Sequence, residues 1–164
     1  MLAAIMFILL GSAQAGTSGP DIACILDRLP PAARDAALDE AMAGAPGPAR
    51  EALLAATGAC GRAGAWDDAR ARRSGDLAAI YLLLAQATSR LEQNGLPPDI
   101  LRDWYEGQSP AVRDNLDDEA LGDLVARLER AGVSRDRLEA NAAMVGALFG
   151  ALDGLRRAGA GSAD

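Results

Sequence analysis

Apolar residues recur at intervals of three and four along most of the chain, not at two, and β-branched residues are scarce, a pattern that predicts helices throughout. A first short helix sets Ile22, Ile25, Leu26 and Leu29 on one stripe and stops at Pro30-Pro31, where proline suits the first turn of the next helix. That second helix runs to about Ala43. The segment from Gly44 to Pro48 breaks it, and a third helix then carries Leu53, Leu54 and Cys60. The longest helix is predicted from Trp66 to about Asn94, with Leu77, Ile80, Tyr81, Leu84, Ala87 and Leu91 spaced for one face. Leu82 and Leu83 make its middle apolar nearly all round, the pattern of a central helix touched on several sides, with Leu77, Ile80, Tyr81 and Leu84 as its expected core.

After Gly95 and Pro97-Pro98, a short helix with Ile100, Leu101, Trp104 and Tyr105 precedes Gly107-Gln108. Ser109-Pro110 reads as a cap followed by proline at the first helical position. A kink near Asn115 to Asp118 leads into Leu121, Leu124, Val125 and Leu128, closed by Gly132. Ser134 then caps a last helix reaching about Ala158. The expected fold is all-α, a single-domain bundle of five to seven mostly antiparallel helices over residues 16–158, with a flexible tail at 159–164.

Residues 1–15 stand apart from this pattern. They carry no charged side chain, run apolar from Leu2 to Leu10 and end in Ala13-Gln14-Ala15, a small-x-small cleavage signal, so a cleaved signal peptide is expected. The usual positive n-region is missing. As a helix the fifteen residues would span roughly 22 Å at about 1.5 Å per residue, short of the roughly 30 Å hydrocarbon core of a bilayer. The expectation is therefore a periplasmic or secreted protein with no stable membrane insertion once the leader is removed.

The chain of 164 residues has sixteen basic side chains, and all of them are arginines; neither lysine nor histidine occurs. That removes the histidine base, the lysine Schiff base, the phosphate-gripping lysine and the imidazole metal ligand, leaving carboxylates, two thiols, hydroxyls and guanidinium. A net charge of −7 repels nucleic-acid phosphates, so no nucleic-acid partner is expected. In an oxidising compartment the two cysteines most simply pair, Cys24 with Cys60. Redox chemistry is a poor alternative, because they do not form Cys-x-x-Cys and no lysine or histidine is present to lower a thiol pKa. Cys24 lies opposite the apolar stripe of its helix, which predicts a bond tying that helix sideways to a neighbour.

The last helix holds a column of small residues at intervals of four: Ala142, Gly146, Gly150 and Gly154. Each interior glycine costs about 1 kcal/mol relative to alanine, so something is expected to pack close against this face. The partner is either the central helix of the same domain or a second copy of the chain.

Other clusters invite chemistry less well. Asp114, Asp117, Asp118 and Glu119 do not follow a calcium loop, since Glu119 stands where glycine is needed and Val125 where a bidentate acid is needed; a helix N-terminus suits them better. Arg70, Arg72 and Arg73 follow Asp67 and Asp68 by three or four residues and read as a solvated, salt-bridged face. Trp104, Tyr105 and Glu106 could make a stacking spot for a sugar or peptide, although both aromatics continue the stripe of Ile100 and Leu101. No cofactor, metal or catalytic residue is indicated.

The function expected from sequence is an exported helical binding or structural protein, partnered by an envelope protein or by itself through the last helix. The alternative is a carboxylate-dependent hydrolase of cell-envelope glycans, which needs two inward-facing acids in a cleft beside Trp104 or Trp66.

Overall fold

A computed structural model describes residues 19–160, so the signal peptide expected at 1–15 and the residues after 160 lie outside it. Nine α-helices make up the described chain: α1 (Gly19–Arg28), α2 (Pro31–Ala43), α3 (Pro48–Gly64), α4 (Asp68–Gln93), α5 (Pro98–Glu106), α6 (Pro110–Asp114), α7 (Asp118–Arg130), α8 (Arg135–Ala140) and α9 (Ala142–Ala160). No strand occurs among the described residues, and the all-α expectation holds. No helix there is long and apolar enough to cross a membrane.

The helix count exceeds five to seven because the chain breaks more sharply than its periodicity suggests. The kink near 115–118 is a full break between α6 and α7, with Asp117 accepting a hydrogen bond from the Ala120 amide at 2.9 Å. The last helix is also two. Ser134 caps only α8, and α9 begins after Asn141, a buried amide that donates to the Arg137 carbonyl at 2.8 Å and accepts from Asn94 at 2.6 Å. A mid-helix asparagine that bonds its own backbone competes with the helical ladder, and here the ladder yields. At its far end α9 continues to Ala160, two residues past the expected end.

Local chemistry sets most boundaries. Proline occupies the first turn of α2, α3, α5 and α6, where its missing N–H forfeits no intrahelical bond. Gly44, Gly95 and Gly132 follow their helices with φ of 64°, 73° and 85°, a region that disfavours other L-residues. Gly47 is needed for a different reason. It has no side chain to cap α3, so the Glu40 carboxylate of α2 does so, accepting from the amides of Ala49 at 2.8 Å and Arg50 at 3.2 Å. A Cβ on Gly47 would stand 2.5 Å from that carboxyl carbon.

The interior divides into two clusters of buried residues, with α4 contributing to both. One joins Ile22, Ile25 and Leu29 of the α1 segment to Ala56 and Cys60 of α3 and Ala78 and Leu82 of α4. The other is built around Trp104, Tyr105 and Phe149, with Leu91, Leu101, Leu124, Leu128 and Leu148 among its members. The core face of α4 is rotated from the expected one. Ser74, Ala78, Leu82, Ala87 and Leu91 are buried, Leu77, Ile80 and Leu84 are half-buried, and Tyr81 is 43 % exposed, so Tyr81 is not a core residue. With apolar residues nearly all round, periodicity could not choose the face. The small residues Ser74 and Ala78 go inside because α1 and α3 pack there closely.

Candidate functional site: an apolar groove in the disulfide-linked half

Cys24 of α1 and Cys60 of α3 form the disulfide, with Cα atoms 6.2 Å apart. Cys60 is fully buried and Cys24 half-buried against the same cluster. The bond thus lies at the edge of the core itself, closer in than a sideways tie would put it. A second link joins α1 to α4. The Asp21 carboxylate accepts from Arg70 Nε at 2.7 Å and Nη2 at 2.9 Å, and from the Ser74 hydroxyl at 3.3 Å. Asp21 is buried, and its carboxyl is held below the usual range chiefly by the Arg70 hydrogen bond, against the opposing effect of burial. Arg70 also lies over the Trp66 ring, 5.3 Å from the centroid.

This replaces the local reading of the arginine-rich start of α4. Asp67 caps the helix by accepting from the Arg70 amide at 2.7 Å, while the Arg70 side chain goes to α1. The distant partner, forty-nine residues away, leaves no trace in i, i+4 spacing.

Beside this stapled region, α2, α3 and α4 leave a groove of about 590 Å³ between them. Its walls are largely apolar and its floor is small: Ala37 and Ala41 from α2, Ala49 from α3, and Ala71, Gly75 and Ala79 from α4, with Leu82 and Leu83 at one end. Alanine and glycine side chains cannot fill the space between three helices, so a hollow remains. At Gly75 the approach is tight, since a Cβ there would sit 3.2 Å from the Thr57 side chain of α3. Leu54 stands on the wall of the groove 64 % exposed, the most exposed of the large apolar residues among those described. Arg50, Arg72 and Asp76 sit among the lining residues and supply charge of both signs. The sequence did hold one signal for this groove: Ala71, Gly75 and Ala79 form a small-residue column at intervals of four.

The residues singled out in the sequence lie elsewhere. Trp104 is 1 % and Tyr105 4 % exposed, both packed with Phe149, so they are core aromatics and present no open stacking face; Glu106 is exposed beside them. The Trp104 indole donates to Asp123 at 2.9 Å, and Asp123 also accepts from Arg127 at 2.9 Å. The small-residue column of α9 splits. Gly154 meets α4, where a Cβ would lie 3.0 Å from Ile80 Cδ1. Ala142, Gly146 and Gly150 are exposed, and no atom lies within 4 Å of a Cβ built on either glycine. Close packing inside the domain therefore accounts for Gly154 alone. In the acidic run, Asp117 caps α7, and Asp118 and Glu119 occupy its first turn. No group of three or more His, Cys, Asp or Glu side chains is gathered for a metal ion among the described residues.

No known protein family, curated protein or solved structure matches the chain. Its function has to be argued from its own geometry.

Proposed function

We propose that this is an exported binding module of the cell envelope, periplasmic or secreted, whose α2–α3–α4 groove receives an apolar helical segment of a partner protein. The observation that carries the reading is Leu54, a large apolar side chain left 64 % exposed on the wall of a hollow floored by alanine and glycine. Small residues at intervals of four let a second backbone approach to the 8–10 Å typical of packed helices, and exposed apolar walls gain most when such a helix covers them. Arg50, Arg72 and Asp76 offer partners for charges flanking an amphipathic stripe. The leader suits an exported chain, and the disulfide joining α1 to α3 suits an oxidising compartment.

No observation favours the hydrolase alternative. It requires a carboxyl group whose pKa is raised so that it can donate a proton. The shifted carboxyls, Asp21, Asp39 and Asp153, are all lowered by arginine partners. Near the tryptophans, Asp21 is engaged by Arg70, which lies over Trp66, and Asp123 is engaged by Arg127 and the Trp104 indole.

The test is a photo-crosslinking amino acid placed at position 54 in cells, with a second at exposed Leu121 as the off-groove control. A discrete envelope adduct from position 54, absent from position 121 and lost when Ala79→Arg fills the groove, supports the reading. Identical adduct patterns from both positions, or a discrete adduct that survives Ala79→Arg, would overturn it.

A further inference from the structure

Away from the residues of the disulfide-linked cluster, α5, α6 and α9 border a second, open hollow of about 520 Å³ with a different character. Its apolar floor is Phe149, stacked on Tyr105 with ring centroids 4.6 Å apart, and the bare backbone of Gly150. Gly150 is a helix-interior glycine with open space where its side chain would be. Such a residue weakens its helix and gains nothing from packing inside the domain. What it does provide is depth, because any larger side chain would project into the hollow.

The polar lining is cationic by one charge: Arg113, Arg156 and Arg157 against Asp114 and Asp153. The carboxylate of Asp153 is already engaged on both oxygens, by Arg156 at 2.6 Å and by Arg157 at 2.6 Å, while Asp114 lies 3.7 Å from Arg156. One donor is left over. Arg113 makes one hydrogen bond, from Nη1 to the Glu106 carbonyl at 3.2 Å, and its buried Nε has no acceptor. The charges that act on the Tyr105 hydroxyl, those of Asp153, Arg113, Arg156 and Asp114, all belong to this lining. A donor without an acceptor, an excess positive charge and an aromatic floor together call for an acceptor-rich, apolar-bodied ligand.

We propose that this hollow binds a small organic monoanion, a carboxylate carried on a short apolar body, with its oxygens toward Arg113 and the Tyr105 hydroxyl and its body over Phe149 and Gly150. The site is independent of the α2–α3–α4 groove. Burial raises the Tyr105 pKa, so the phenol stays a donor at neutral pH. Glycine at 150 is then a specificity device, holding open the volume the ligand body fills.

The test is a titration of the full-length protein with benzoate, followed by amide and side-chain NMR, alongside inorganic phosphate and benzyl alcohol. Saturable binding of benzoate, at least tenfold tighter than either control and shifting Tyr105 and Gly150, is the expected result. Gly150→Leu should abolish that binding while the protein stays folded, because its added side chain meets open space and leucine is the better helix former. Arg113→Gln should weaken it by about tenfold or more, the loss of one charge-assisted contact. Failure of benzoate to saturate, equal binding of phosphate, or unchanged binding by Gly150→Leu would each overturn the proposal. Sedimentation of the same variant adds one further outcome. A wild-type dimer that Gly150→Leu turns into folded monomers with benzoate affinity intact would make this face an interface between copies, and the ligand site would fall.

Discussion

The two buried clusters solve the same problem with different materials. Around Trp104, Tyr105 and Phe149, large side chains from α5, α7 and α9 bury fully and the interior is filled by area. In the half formed by α1, α3 and the first part of α4, the buried set is Ile22, Ile25, Leu29 and Leu82 with Ala56, Ala78 and Cys60, and covalent and ionic links reinforce it. Small core residues bring helices close but remove less apolar area from water, so the staple supplies what burial does not. A different set of small residues, Ala37, Ala41, Ala49, Ala71, Gly75 and Ala79, leaves the groove. The groove beside the stapled half is therefore walled largely by apolar residues, whereas the hollow over Phe149 in the aromatic half is lined mostly by charged side chains.

Breaking the aromatic half should have the largest effect. Trp104→Ala removes the largest fully buried side chain and its hydrogen bond to Asp123, and a loss of about 3–5 kcal/mol is expected. At roughly 2–4 °C per kcal/mol, thermal unfolding by circular dichroism reads this directly. A shift of only a degree or two would mean that the cluster is not the main source of stability.

Cutting the staple should come next and should be local. Cys24→Ser with Cys60→Ser frees a loop of 36 residues, worth up to about 4 kcal/mol in the chain-entropy account. Hydrogen exchange should quicken through α1–α3 while α5 and α7 keep their protection; uniform loss of protection would show the two halves to be one cooperative unit. Third in size is Ala78→Leu. It overpacks a position with 0 % exposure between α1, α3 and α4, with an expected cost of about 1–3 kcal/mol on the same thermal assay.

Acid should weaken both halves together. Asp21 in one and Asp153 in the other have folded-state pKa values lowered by Arg70 and by Arg156 with Arg157. Their contribution is complete above the unfolded-state value, about 3.9, and is lost as pH falls through the lowered folded values. With no histidine and both thiols in the disulfide, denaturant midpoints should hold level from about pH 6 to about pH 9. Above about pH 10, the raised pKa of Tyr105 reverses the sign: the unfolded phenol ionises first and stability falls. Asp21→Asn should flatten the acid slope, and an unchanged slope would exclude the Arg70 pair as its source. The smallest effect belongs to Tyr81→Ala, within about 0.5 kcal/mol because the ring is 43 % exposed, against the large loss expected had it lain in the core.

Much of the fold was legible before any coordinates. Pro31, Pro48, Pro98 and Pro110 open helices, Gly44, Gly95 and Gly132 follow them, and the cysteine pair could join only in one way. The two hollows were far less legible. The glycine column of α9 looked like one close-packed face, yet Gly154 meets Ile80 while Gly150 opens into a hollow. Leu54 looked like any apolar residue of an amphipathic helix.

Helix type, the helix ends marked by proline or glycine and the disulfide pairing are set by residues within a turn of one another, or by there being only one possible partner, so the sequence alone determined them, whereas the full breaks before α7 and α9 were not read from it. The buried face of α4, the reach of Arg70 to Asp21 and the hollows beside Leu54 and Gly150 were decided only by the tertiary structure. Each depends on how one helix is rotated against others distant in the chain, and a helix that is apolar all round carries no local preference for that rotation.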